Sequence, residues 1–399
     1  MPTTATLFDP VRLPCGVMLK NRIVKSAMSD SLGDGTGHPT AAQIRLYQRW
    51  AHGGVAASIV GEVQSSGDCA EKPGNLVLNA ASEAGRFEAL ARVGLENEGQ
   101  LWVQLGHAGA LAHPPISRPK GPSRLDLPGL TCAALSHAEI EALPAAFADT
   151  ARHAQIAGFG GVQVHSAHGF LLSQFLSPLF NHRNDAFGGT IANRMRLLLN
   201  VVAAVRVAVG PEFPVAVKLN SSDMLEGGLV EEDALEVIAM LDRSPVDLVE
   251  ISGGTYFPGA ANASDAAVSG PYFLDFARRA RAITQKPLML TGGFKTRAQA
   301  EDVLTSGTVD IVGLARALVL EPELPLHWLA DRLPEPVFPR FSATPPEGGI
   351  SAWYTMRLTE LGEDRAIAAS DEPAAALTEY LRRDEDRADI WRTHFAKAD

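Results

Sequence analysis

The chain has 399 residues, is 46% hydrophobic and 20% charged, and carries a formal net charge of −11 at pH 7. That is enough apolar sequence for one barrel-sized core of roughly 250 residues with additions, and the acidic balance offers no basic face to nucleic acid or an anionic membrane. The three cysteines Cys15, Cys69 and Cys132 stand far apart with no C-x-x-C, which argues against a zinc knuckle, a redox dithiol or a disulfide framework.

The opening MPTTATLFDPVRLP has neither the basic nor the apolar region of a secretion signal, and no apolar run reaches the roughly 18 residues a spanning helix needs, so a cytoplasmic protein without targeting is expected. From the N-terminus, short apolar runs occur at 23–28, 55–63, 101–105, 162–165, 215–220, 248–252, 288–291 and 311–314. Helical patterns fall at 41–51, 83–98, 136–157, 192–209, 231–241, 273–284, 296–305 and 322–330. Runs that do not alternate suit strands buried on both faces. Strand and helix alternating in this way predict an α/β fold, a closed (βα)8 TIM barrel. A doubly wound open sheet is the alternative from pattern alone, but no G-x-G-x-x-G follows the first strand.

Two segments break the repeat. Residues 106–135 carry prolines at 114, 115, 119, 122 and 128 and are too long for a routine connection; such insertions cover sites. From about 334 a Pro-rich linker leads into helical patterns at 350–361 and 372–396. Residues 1–333 are therefore read as the barrel and 334–399 as a helical C-terminal extension. Trp353, Tyr354, Met356 and Leu358 give that extension an apolar face, which needs the barrel mouth or a second subunit, so a homo-oligomer stays open.

The richest chemistry lies in 158–196, GFGGVQVHSAHGFLLSQFLSPLFNHRNDAFGGTIANRMR. His165 and His168 stand where a strand gives way to a loop, the place where βα proteins bind ligands. A metal would want further ligands, and no Cys or Asp stands beside the pair. Two neutral imidazoles suit an oxygen that gains negative charge during reaction. Capping or satisfied core histidines are the alternative. Elsewhere, Lys218 in VAVKLN is a cation inside an apolar strand, which requires an anion, a dipole or a buried ion pair. Thr291-Gly292-Gly293-Phe294 and Gly313-Leu314-Ala315-Arg316, on the last two strands, suit a phosphate.

Together with LKNRIVKSAMS (19–29), QLGHAGA (104–110) and SGGTY (252–256), these stretches resemble the old yellow enzyme family of FMN-dependent ene-reductases, with its H-x-x-H/N-G-Y-L-L-x-Q-F-L-S-P and N-x-R-x-D-x-[YF]-G-G-S-x-x-N-R patterns. The likeness covers about 7–331 and looks closest to a dienoyl-CoA reductase-like branch, without the clustered cysteines of an iron–sulfur domain. It implies FMN as cofactor and NADH or NADPH as co-substrate. Ala27, Met28 and Ser29 would lie at the flavin, with Ser29 near its carbonyl. Gly61 would let the backbone approach the ring, Gln104 would pair with the pyrimidine edge, and Lys218 would face the ring nitrogen that becomes negative. Gly292, Gly293, Phe294, Ala315 and Arg316 would hold the phosphate, while His165 and His168 would hold the oxygen of an activated alkene, quinone or nitro acceptor. His107 is expected to be structural, and Glu62 is larger than is common at its place. One position departs from the pattern: Phe170 stands where the family has a proton-donating tyrosine, which leaves Tyr256, an ordered water, or a reaction that needs no donor there. Other classes remain: oxidation of C–N or C–C bonds, a metal-dependent barrel hydrolase, or a flavin binder without turnover.

Overall fold

The computed structural model describes residues 5–258, 260, 270–332, 335–341, 344–365 and 372–396. Eight strands lie parallel: β1 (Ile23–Met28), β2 (Ala57–Gln64), β3 (Leu101–Leu105), β4 (Gly161–Ser166), β5 (Val215–Asn220), β6 (Leu248–Ser252), β7 (Leu288–Thr291) and β8 (Ile311–Leu314). Each pairs with the next, and β8 pairs with β1, so the sheet closes into the expected TIM barrel. Around it run α1 (Ala41–His52), α2 (Ala84–Gly94), α3 (His137–Ile156), α4 (Arg196–Val209), α5 (Glu231–Asp242), α6 (Leu274–Arg281), α7 (Arg297–Thr305) and α8 (Arg316–Leu320). Among the described residues no helix is long and apolar enough to cross a membrane.

Local chemistry sets the helix ends. Ser136 opens α3 with a capping box, its hydroxyl accepting from Glu139 N while Glu139 accepts from Ser136 N. Two helical patterns end differently from expectation. The 83–98 pattern stops at Gly94 because Asn97 and Glu98 take positive φ (52° and 55°). The 192–209 pattern divides into a four-residue turn, Ile191–Arg194, and α4.

The inward side chains are stacked in layers at the strand period of two. Val24, Ile59, Trp102, Ala216, Leu248, Met289 and Ile311 form an apolar floor, closed below by Leu13 and Leu19 of the N-terminal hairpin. Two residues further on, Ser26, Gln104, Lys218, Glu250 and Thr291 form a polar layer. Two further still, at the C-terminal ends of the strands, come Gly106, Asn220 and Ser252, with His165 on β4 at the same end.

The 106–135 insertion folds into a small sheet of Lys120–Gly121, Leu125–Leu127 and Leu130–Ala134. The C-terminal helices, α9 (Gly349–Glu363) and α10 (Pro373–Phe395), lie against the barrel. Trp353, Tyr354 and Leu358 join the same core as Leu46 and Trp50 of α1. Trp391 of α10 donates its indole N–H to Gly67 O (3.2 Å), and Arg387 bonds to Ser31 O, so α10 crosses the loops after β1 and β2. The boundary expected at 333–334 lies outside the described residues.

Candidate active site

β4 delivers His165 almost fully buried, and the turn after it holds His168 at φ 61°. Asn220 fixes that unusual turn, accepting from His168 N (3.0 Å) and donating to Gly254 O (2.8 Å). The two imidazoles meet edge to face with centroids 5.3 Å apart. Each ring also has a protein neighbour of its own. His165 Nε2 faces Glu62 Oε1 at 3.4 Å, and His168 Nε2 lies 2.8 Å from Ser252 Oγ. Burial holds both rings well below the usual imidazole range, helped by Lys218 and, for His165, by His168. Both are therefore neutral near pH 7.

Phe170 is buried with its ring 4.8 Å from that of His165, and Tyr256 completes the group 5.8 Å from His168 and 6.0 Å from Phe170. Tyr256 is 57% exposed and is placed by its N–H bonding to His168 O (3.0 Å). His107 accepts from Gly109 N (3.0 Å), a turn cap in keeping with a structural role.

Below the histidines the polar layer is one connected network. Gln104 donates to Gln163 Oε1 (2.7 Å), and Gln163 donates to Glu250 Oε2 (2.6 Å). Glu250 Oε1 meets Lys218 Nζ at 3.1 Å and accepts from Thr291 Oγ1 (2.7 Å), which in turn touches Ser26 Oγ (2.7 Å). Gly313 leaves room for that last pair; a Cβ there would strike both hydroxyls. Lys218 thus forms the buried ion pair that was one reading of its place, and it keeps two further N–H groups. Gln163 and Glu250 were not singled out in the sequence, although each interrupts an apolar run and Lys218 and Glu250 are register partners.

At the rim, Ala27 is buried and Met28 half-buried. A side chain on Gly61 would run into Met28 O, so this glycine serves the approach of β1 to β2. Ser29 Oγ is buried and has no hydrogen-bond partner among the described residues. Gly292 and Gly293 (φ 107° and 86°) turn closely against residues 270–273, and Phe294 is buried beside them. Ala315 precedes α8, where the Arg316 guanidinium lies 4.9 Å above the Tyr354 ring of α9. Among the described residues no carboxylate pairs with Arg316.

These groups, unmatched among the described residues, fit a flavin mononucleotide: a buried hydroxyl without a partner, an amide with an N–H and oxygen to spare, a lysine with protons to give, and a guanidinium without a carboxylate just past the strand beside a glycine turn. The profile of the NADH:flavin oxidoreductase / NADH oxidase family matches residues 6–333. The chain belongs to this family. It is 33% identical over 349 residues to the NADH-dependent flavin oxidoreductase iliE of Hypocrea jecorina (strain QM6a), covering 79% of this chain and 87% of that protein. It is 33% identical over 332 residues to an NADPH dehydrogenase of Geobacillus thermodenitrificans (strain NG80-2), covering 80% and 92%. The solved old yellow enzyme homologue from Zymomonas mobilis superposes with a TM-score of 0.72 at 24% identity, covering 88% of this chain and 98% of that one. Some other relatives are longer, and the chain spans about half of their length. The protein is an oxidoreductase of the old yellow enzyme type that uses FMN with NADH or NADPH.

Proposed function

We propose that the site reduces an electron-poor acceptor whose oxygen is held by His165 and His168: an activated alkene, a quinone or a nitro compound. The observation that carries this reading is the pair itself, two imidazoles kept neutral by burial, 5.3 Å apart at the open end of the barrel and close to Lys218. Neutral N–H donors already in place stabilise charge as it develops on an oxygen without reorganising. A bound FMN would supply the hydride carrier between NAD(P)H and the acceptor.

The chain's own residues divide the remaining work. Ser29 and Gln104 bind polar edges of the flavin, with Gln104 oriented by Gln163. Lys218, steadied by Glu250, offers positive charge to the ring. Gly292, Gly293, Phe294, Ala315 and Arg316 hold the phosphate, and Tyr256 and Phe170 wall the acceptor. Phe170 favours acceptors that need no proton on carbon, such as quinones and nitro compounds.

The test is anaerobic. NAD(P)H should bleach the yellow protein, and quinones should restore the colour quickly while simple enones restore it slowly. Protein that bleaches but regains colour with no enone, quinone or nitroalkene would sink this reading.

A further inference from the structure

Reduction at this site needs a proton as well as a hydride, and the phenyl ring of Phe170 has none to give. One buried carboxyl stands beside the histidine pair. Glu62 is 3% exposed, and its Oε1 lies 3.4 Å from His165 Nε2. Among the described residues no Lys or Arg pairs with it, since Lys218 turns to Glu250 instead. A carboxyl enclosed in this way is easier to keep as the neutral acid than as an unpaired anion.

Its place is also specifically shaped. Glu62 has φ 59°, a conformation non-glycine residues rarely adopt, at the point where the register of β2 against β3 slips between Val60 and Val63. A bulge of this kind re-aims a side chain, often next to an active site. Across from it Gly106 leaves space, because a Cβ there would stand 2.5 Å from Glu62 Oε2. Ala167 N–H points at His165 Nδ1 (3.3 Å), which puts the ring proton on Nε2, the side facing Glu62.

We propose that Glu62 is the proton reserve of this site, passing its carboxyl proton through His165 to the oxygen of the bound acceptor. This rests on the acceptor reading above, and Glu62 is a positioning residue that acts through His165. As the incoming hydride forms a C–H bond on an activated alkene, or an O–H bond at the far oxygen of a quinone, the π electrons of the acceptor shift onto the oxygen beside His165. That oxygen takes the Nε2 proton, Glu62 replaces it and becomes the carboxylate, and water returns a proton to Glu62 once product leaves. The product is an enol or a hydroquinone, so no group has to reach the α carbon. The side chains facing Glu62 are His165, Gln64, Glu71 and Lys218, with Tyr256 within electrostatic reach. Burial, and then the charge of Glu71, push the carboxyl well above the usual range against the pull of Lys218 and Gln64.

Two measurements decide it. In the wild-type holoenzyme at neutral pH, the infrared band of a protonated carboxyl should shift in heavy water, and this band should vanish in Glu62→Gln. Reoxidation by a quinone should slow by about 10²-fold in Glu62→Gln and lose its fall at alkaline pH, while Glu62→Asp keeps the fall and part of the rate. Bound flavin serves as the folding control; should the Gln variant not retain it, the wild-type band and the Asp variant carry the decision. An unchanged band in Glu62→Gln, or wild-type rates with an unchanged pH profile, overturns the proposal. Failure of the acceptor reading looks different: wild-type protein that NAD(P)H bleaches and no acceptor recolours, an outcome that removes both.

Discussion

Glu250 and Glu62 sit on strands of one barrel at 0% and 3% exposure, yet their surroundings push them in opposite directions. Burial works to raise Glu250, but Lys218 and the hydrogen bonds from Thr291 and Gln163 outweigh it and hold the carboxyl below its usual range. Glu62 has a neutral imidazole and a distant amide for company, and burial wins. In the polar layer around Glu250 each member is bonded to another, with donors to spare on Gln104 and Lys218. The rim above it is left open among the described residues: Ser29 without a partner, Arg316 without a carboxylate, Glu62 without a cation. A closed buried network holds the barrel together; an open one has donors and a proton left for a ligand.

The sharpest way to break this contrast is to open the closed layer. Glu250→Ala would strip the Lys218 ammonium of its carboxylate and the Gln163 amide N–H of its acceptor in the interior, and removing one member of a buried pair costs about 3–5 kcal/mol. Denaturant unfolding should show that loss, and Lys218→Met with Glu250→Leu should recover most of it, since an apolar pair of similar volume strands no charge. The pH dependence has a definite sign. Because the folded-state value of Glu250 is depressed, its contribution is present above the unfolded value near about pH 4 and disappears as pH falls through the folded one. Equal stability of Glu250→Ala and wild type at pH 7 would show that the layer is not what holds this part of the barrel.

At the open rim the effect should fall on chemistry rather than on folding. Replacing both His165 and His168 by Ala should leave FMN bound and reducible, yet slow reoxidation by an acceptor by about 10²-fold or more. Loss of flavin from the double variant would instead place the pair among the structural groups.

The same contrast explains what was legible in the sequence. The barrel could be read because its strands are buried on both faces and so appear as unbroken apolar runs, six of them with the observed bounds, such as β3 at Leu101–Leu105. His165, Gln104 and Lys218 stood out as polar residues in those runs. Gln163 and Glu250 interrupt the runs just as clearly, but their meaning is a partner on a neighbouring strand, and register is not written in one strand. Glu62 was the hardest, because its setting depends on a bulge and on an absent side chain at Gly106. For Trp353 and Tyr354 a partner was required but not specified; packing supplied α1 and Arg316.

Phe170 offers a smaller test of the rim. With Phe170→Tyr, a hydroxyl enters beside His165 and can serve carbon directly, so enone reduction should rise by about 10-fold where protonation limits the rate. Quinone reduction should not change. If the wild type already reduces enones as fast as quinones and the substitution alters neither, the missing hydroxyl does not shape acceptor choice.

The smallest expected effect lies where the C-terminal extension meets the open rim. Arg316 is long and without a carboxylate partner among the described residues, and the face of Tyr354, 4.9 Å away, restrains its guanidinium. A cation over an aromatic ring at a partly exposed place is worth about 0.5–1 kcal/mol, or about a 2- to 5-fold change in a binding constant. If Arg316 holds the FMN phosphate, Tyr354→Ala should weaken FMN binding by that factor, measured as flavin fluorescence released on dilution. Tyr354→Phe should bind as the wild type does, because it keeps the ring and loses only the hydroxyl. Tyr354 is also buried in the core shared with α1, so a general loosening would accompany the Ala substitution. Combining it with Arg316→Ala separates the two causes. An effect that acts through Arg316 should vanish when that arginine is already gone, whereas an effect of lost packing should add to it in full.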